Sequence, residues 1–304
     1  GGIYSSPEEG EDMEPISHRY RDRILKMMAL SRGESHVSED NVYQPGNDGL
    51  LPFIDGVVAE NLLPGSGIRH FERLVELLDT AKSGEPCLLL LEHYSNFDLP
   101  VFHYLLRQEG PRGVEAARAL LAIAGIKLNE SNPVVLAFTE AYSRLVIYPS
   151  RSIEIIKRNL KDPKELVAEV MRSTTVNRAS LKALAALKTQ GRLVLVFPAG
   201  TRFRPWDPSS KRGVREIDSY IKTFSKMCLV SINGNILRLN PDGEMEEDLV
   251  CQDRVVYDVS PMMDCHEFRD RMKKEHKHRE DKKQAAVDGL MDILERMHEE
   301  VEKT

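Results

Sequence analysis

Long apolar runs, closely paired cysteines, nucleotide-binding glycine loops and an excess of positive charge are all missing from this 304-residue chain. Each absence removes a class of function. No stretch approaches the ~18 consecutive apolar residues of a membrane-spanning helix, and the first residues lack the basic-then-apolar pattern of a secretory signal. A cytoplasmic protein, or a plastid-stromal one in a plant, is therefore expected. Cys87, Cys228, Cys251 and Cys265 show no C-x-x-C spacing and two of them sit in apolar runs, so buried thiols in a reducing compartment are expected. Cys265-His266 has no further ligands at the right spacing, and no metal is expected. Gly65-Ser66-Gly67 lacks the rest of a dinucleotide fingerprint, and no glycine-rich loop leads into Lys-Ser or Lys-Thr. A net charge of −6 argues against a nucleic-acid binder. What is present is an ordinary globular composition, 41% hydrophobic and 6% aromatic, on a chain long enough to bury a substantial core.

The acidic segment 6–12 is expected to fray. Residues 16–30 have helical spacing, with Ile16, Tyr20, Ile24 and Met27 or Met28 on one face. A second apolar stretch, 50–63, stops at Pro64-Gly65, and 68–81 is a further amphipathic helix. Residues 1–85 are thus read as a small helical region serving as scaffold. From residue 86 short apolar runs alternate with helices. Strands are predicted over 87–91, 119–124, 144–148, 192–197, 228–233 and 253–259, and helices over 97–108, 132–142, 166–189 and 212–225. That alternation predicts an α/β fold over 86–304, with a mixed, largely parallel sheet flanked by helices. Residues 267–304 form a charged helical tail in which Lys273, Lys274, Lys277, Arg279, Lys282 and Lys283 alternate with acids. A solvated face is expected there, with contact to an anionic membrane or an acidic carrier protein as the other reading.

Two segments carry chemistry. Leu88-Leu89-Leu90-Leu91 runs into Glu92-His93-Tyr94-Ser95-Asn96-Phe97-Asp98, where Ser95 and Asp98 form a helix-opening pattern. His93 then sits on the turn that leaves a strand, where open α/β sheets place their chemistry. A short turn lets the Asp98 carboxylate accept from one ring nitrogen and leave the other free to take a proton. The plainer reading is a capped helix beside an unremarkable loop histidine. Downstream, Arg192-Leu-Val-Leu-Val-Phe197 leads into Pro198-Ala199-Gly200-Thr201-Arg202-Phe203-Arg204-Pro205. Gly200 allows a tight turn, and two arginines at alternate extended positions project to one side. Such a pair suits a phosphate monoester, unless both are simply solvated.

These two blocks, in this order and about a hundred residues apart, resemble the glycerolipid acyltransferase family. Its first block is Asn-His-x-Ser-x-x-Asp; His93, Ser95 and Asp98 match, and Glu92 replaces the Asn. Its third is Phe-Pro-Glu-Gly-Thr-Arg-Ser; Phe197, Pro198, Gly200, Thr201 and Arg202 match, and Ala199 replaces a Glu that helps hold the acceptor in many members. The chain is most similar to soluble, chloroplast-type glycerol-3-phosphate acyltransferases, whose Gly-Gly-Arg-Asp-Arg-Pro parallels Gly200 to Pro205. The Tyr148-Pro-Ser150-Arg151 segment and Asn177-Arg-Ala-Ser180-Leu181-Lys182 are looser parallels to that subgroup.

The resemblance implies acyl transfer to the sn-1 hydroxyl of glycerol 3-phosphate, from acyl-CoA or acyl carrier protein, without a cofactor and without an acyl-enzyme. His93 is implied as general base and Asp98 as its orienter. Arg202 and Arg204, helped by Arg151, are implied to grip the phosphate. Backbone donors around Ala199 and Gly200 are expected to meet the oxyanion, and Glu92, if its side chain is close, to favour the imidazolium. Acylation of 1-acylglycerol 3-phosphate is the same-chemistry alternative; its bilayer-borne acceptor calls for an amphipathic N-terminal segment that this acidic one only weakly supplies. The other-class alternative is a catalytically silent lipid- or acyl-carrier-binding protein.

Overall fold

Apolar runs too short for helices, bounded by turn residues, become strands buried on both faces. The computed structural model describes residues 13–304, so the segment 6–12 lies outside the described residues. In chain order the strands are β1 (Glu14–Pro15), β2 (Tyr43–Gln44), β3 (Gly67–Arg69), β4 (Cys87–Leu91), β5 (Leu120–Gly125), β6 (Arg144–Ile147), β7 (Leu193–Val196), β8 (Lys226–Asn233), β9 (Leu237–Arg238), β10 (Leu249–Val250), β11 (Val256–Val259) and β12 (Met263–Asp264). The main sheet has the order β2-β6-β5-β7-β4-β8-β11-β3, with β12 on β8; β1, β10 and β9 form a small separate sheet. From β6 to β8 all pairings are parallel, while β2–β6, β8–β11 and β8–β12 are antiparallel. The five central strands lie where the sequence predicts them, with ends differing by up to two residues.

Strand periodicity divides the core between two faces. Cys87, Leu89 and Leu91 pack on one side with the Leu51–Asn61, Phe71–Lys82 and Asp98–Gln108 helices. Leu88 and Leu90 pack on the other with the Pro163–Leu187, Ile217–Thr223 and C-terminal helices.

The structure departs from the sequence reading in three places. The region before residue 86 is not helical throughout: it contributes β2 and β3 at the two edges of the main sheet. The predicted 16–30 helix breaks at Tyr20 into Ile16–Arg19 and Arg21–Leu30. There the Tyr20 hydroxyl donates to Glu60 and accepts from Asn61, fastening the break to the next helix. The charged C-terminal tail is two helices, Cys265–Glu275 and Lys282–Glu302. The second buries Val287, Leu290, Leu294 and Val301, and none of its Lys, Arg, Asp or Glu residues is buried. Each such side chain contributes ~1.5–3 kcal/mol on burial, so this helix is part of the core and not a solvated appendage.

Candidate active site

β4 and β7 are neighbours and parallel, which brings the residues following each strand together at the carboxyl edge of the sheet. The imidazole of His93 stacks on the ring of Phe197, centroids 3.9 Å apart and planes 19° from parallel. The Phe203 N–H donates to the His93 carbonyl at 2.8 Å, tying the arginine loop to the histidine loop. Gly200 has φ +67°, a left-handed turn that favours glycine.

Asp98 opens the Asp98–Gln108 helix and is buried. Its Oδ2 accepts from His93 Nδ1 at 2.9 Å, from the Tyr94 N–H at 2.7 Å and from the Ser95 N–H at 2.9 Å. A carboxylate only accepts. In the neutral ring this contact puts the His93 proton on Nδ1 and leaves the Nε2 lone pair free. Ser95 Oγ donates to the Leu237 carbonyl at 2.6 Å and accepts from the Phe97 N–H at 3.0 Å, so it holds the turn. The buried Tyr257 hydroxyl donates to the Asp98 carbonyl at 2.6 Å. Burial pushes this phenol well above its ordinary range, so it stays a donor.

His93 borders two cavities. The first, about 580 Å³, crosses the ends of β5, β6 and β7 and continues between the Pro163–Leu187 and Ile217–Thr223 helices. Its walls are mainly apolar, with Phe138, Ile147, Leu184, Val214, Ile217 and Tyr220 among them. A volume of this size falls within the ~300–1,000 Å³ usual for small-molecule sites. The second cavity, about 660 Å³, is polar on its far side, where Lys211 and Arg212 face Asp288 and Glu295. Those cations are already matched: Lys211 Nζ lies 2.6 Å from Glu295 and Arg212 Nε 3.6 Å from Asp288.

The three arginines singled out in the sequence do not converge. Arg202 Nη1 is paired with Asp248 Oδ2 at 2.6 Å, and Asn96 Nδ2 donates to the same oxygen at 3.2 Å. Asp248 is buried, and burial pushes its carboxyl up against the opposing pull of Arg202. Arg204 turns back into its own loop, to Thr201 Oγ1 at 3.1 Å and Asp207 Oδ2 at 3.2 Å. Neither guanidinium borders the apolar cavity. Arg151 does, from the first turn of the Ser150–Asn159 helix, and no carboxylate pairs with it among the described residues. Asn177 fixes this entry by accepting from the Tyr148 N–H at 2.7 Å and donating to the Tyr148 carbonyl at 2.9 Å. Ser180 Oγ donates to the Val146 carbonyl at 2.5 Å. The Asn177–Ser180 segment thus pins the end of β6. Arg144 also borders the cavity but donates to Asn129 at 3.1 Å and the Tyr142 carbonyl at 3.4 Å, so most of its donors are engaged.

Glu92 does not face His93. Its Oε2 accepts from the Tyr94 hydroxyl at 2.5 Å, and its Oε1 lies 2.9 Å from the Ile232 N–H and 2.9 Å from His298 Nδ1. Successive residues leaving a strand point to opposite sides, which sends Glu92 away from the base. His298 also contacts Glu302 through Nε2 at 3.0 Å. Burial alone would lower the His298 pKa, but the carboxylates of Glu92 and Glu302 outweigh it and raise it. The C-terminal helix thereby grips the histidine loop from behind. Sequence reasoning missed Asp248, His298 and Tyr257, which lie far along the chain from the groups they hold and carry no local pattern. The Gly200 N–H, expected near the oxyanion, donates instead to the Phe197 carbonyl at 2.9 Å.

Burial pushes the thiols of Cys87, Cys228 and Cys265 up to about 12, and the Cys251 thiol lies 3.4 Å from the Asn235 carbonyl. No described group of His, Cys, Asp and Glu is arranged to hold a metal ion. No described helix is long and apolar enough to cross a membrane.

A family model described as Acyltransferase matches residues 72–227, more than half of the chain. The chain belongs to the acyltransferase family. The matched span contains His93, Asp98, Arg151, Arg202 and Arg204, and stops short of Asp248 and His298. In this acyltransferase the latter two reach the matched region only through folding. Among solved structures the chain is similar to the 1-acyl-sn-glycerophosphate (LPA) acyltransferase PlsC from Thermotoga maritima, at 15% identity and a TM-score of 0.43, over 94% of this chain and 90% of that one. A likeness at that level carries no functional weight. No curated protein matches.

Proposed function

We propose that this acyltransferase moves a fatty acyl group from a thioester, acyl-CoA or acyl carrier protein, to a hydroxyl of a glycerol phosphate. The observation that carries the reading is the His93 ring, held by Asp98 at Nδ1 and free at Nε2, at the mouth of an apolar cavity. Nε2 takes the hydroxyl proton as the oxygen attacks the thioester carbonyl. The tetrahedral intermediate expels a thiolate, which recovers that proton from the imidazolium. Asp98 keeps the tautomer and stabilises the transient cation. Stacking on Phe197 restricts the ring to an orientation in which proton transfer and attack coincide.

The apolar cavity takes the acyl chain. We place the acceptor phosphate at Arg151 and the first turn of its helix, where an unpaired guanidinium and the positive end of the helix dipole coincide. Arg202 and Arg204 hold a phosphate directly only by leaving Asp248 and Asp207; as placed, they shape the loop that carries the site.

Glycerol 3-phosphate is the first acceptor proposed, because a chainless acceptor leaves the apolar cavity at His93 to the donor. A second reading is 1-acylglycerol 3-phosphate, favoured by exposed Val167, Met171 and Leu181 on a helix beside the cavity, which give the protein a means of reaching a bilayer. Thiol release from acyl-CoA, measured with each acceptor in turn, tests the proposal. Faster release with glycerol 3-phosphate supports the first reading and faster release with the acylated acceptor the second. Release with neither, while ligand still binds, leaves the silent binding protein.

A further inference from the structure

Four of the exposed large apolar side chains fall within one short stretch: Ile155, Val167, Met171 and Leu181. The last three are 57%, 65% and 69% exposed and share the Pro163–Leu187 helix. Lys164, Val167, Met171, Thr174, Arg178 and Leu181 follow one another in steps of three and four, which puts all six on a single face. All six are exposed. At 1.5 Å per residue the stripe is ~25 Å long. It contains no carboxylate. Glu165 and Glu169 lie round the other side of the helix, where Glu169 accepts from the Tyr148 hydroxyl at 2.9 Å.

The charge of this stretch is opposite to that of the protein. Residues 150–188 hold nine Lys and Arg against four Asp and Glu, in a chain of net charge −6. Isolated exposed apolar residues need no explanation, but Val167 and Met171 one turn apart, with Leu181 farther along the same face, mark a contact. Lys164, Arg178 and Lys182 interleaved with that row exclude a second copy of the same face, because no carboxylate on either copy meets the cations. They also spoil a coiled-coil seam, which tolerates few charges. An apolar row flanked by cations whose aliphatic stems can lie along it fits the boundary between lipid headgroups and acyl chains. Leu181 is both exposed on this row and part of the wall of the apolar cavity.

We infer that the exposed face of the Pro163–Leu187 helix docks on an anionic lipid bilayer, with Val167, Met171 and Leu181 inserted and Lys164, Arg178 and Lys182 on the headgroups. Docking sets the rim of the apolar cavity against the lipid. The membrane contact is thus assigned to this helix and not to the cations of residues 273–283, where Lys282 donates to the His276 carbonyl and Arg279 is paired with Asp288.

The test is co-sedimentation of the whole chain with vesicles of phosphatidylcholine alone, and with roughly a quarter of it replaced by phosphatidylglycerol. It requires no turnover, so its outcome is separate from that of the acyl-transfer reading. Binding is expected only to the anionic vesicles and is expected to weaken with salt. A basic side chain at such a surface is worth about fivefold in partitioning. Arg178→Glu with Lys182→Glu should therefore lower binding at least ~25-fold, and Val167→Ser with Met171→Ser should lower it at any salt. All four side chains are solvent-facing, so the variants should melt with the parent. Equal binding to both vesicle types, binding untouched by either double variant, or no vesicle binding at all overturns the inference. So does a dimer that Met171→Ser dissolves, or capture of an acyl carrier protein by this face in place of vesicles.

Discussion

Replacing Arg202 by Met should unfold the protein more readily before it alters any substrate constant. Arg202 meets Asp248 at 2.6 Å with side chains 15% and 1% exposed. Removing the guanidinium leaves a buried carboxylate with the Asn96 amide at 3.2 Å and the Asn240 backbone as remaining support. Breaking one half of a buried ion pair costs ~3–5 kcal/mol, out of a total stability of ~5–15 kcal/mol. At ~2–4 °C per kcal/mol for a large domain, the melting temperature should drop on the order of 10 °C. The loss should shrink as pH falls. Burial already raises the Asp248 carboxyl; without its cation its folded-state pKa rises further, and protonation then removes the uncompensated charge. Arg202→Met with Asp248→Leu should recover most of the loss, since both charges go together. Differential scanning calorimetry of the two single variants and the double completes the cycle. A single Arg202→Met variant that melts with the parent, or a double variant no more stable than either single one, would refute the reasoning and return Arg202 to the role of a free phosphate ligand.

Arg151→Ala should raise KM for the acceptor with turnover nearly unchanged, because the phosphate is charged in ground and transition states alike; steady-state kinetics that show the reverse split would move the phosphate elsewhere. Asp98→Asn should cut turnover by ~10²–10⁴, since the amide cannot stabilise the imidazolium and allows the wrong tautomer, and single-turnover rates check it. The raised pKa of His298 implies stability fully present below about 6.5 and lost as pH rises through the folded value. His298→Gln should remove that slope, read as urea midpoints at roughly pH 6 and pH 9; an unchanged slope would show that His298 is neutral in the fold.

The parts of this molecule that are legible in its sequence are those in which one short segment carries its own meaning. β4 and β7 read as strands because both of their faces are buried, so that nearly every position is Leu or Val. His93 and Asp98 read as a pair because the turn between them is too short to separate them. Arg151 stands out as a residue, but its Ser150–Asn159 helix does not. That helix buries only Ser152, and its Ile153 and Ile156 pack against the core while remaining partly exposed. β3 has three residues and exists because β11 lies beside it. The fate of Glu92 is beyond reach for the same reason: its partner His298 arrives from 206 positions away. The C-terminal helix misleads because its charges are conspicuous, whereas the i, i+4 spacing of Leu290 and Leu294 that buries it is not.

The central claim is that His93 moves the proton in acyl transfer. Thiol release from acyl-CoA should depend on added acceptor in the parent, and His93→Ala should lower turnover by ~10²–10⁴ while leaving KM for the acceptor nearly unchanged. A folded His93→Ala variant that releases thiol at close to the parental rate would contradict the account.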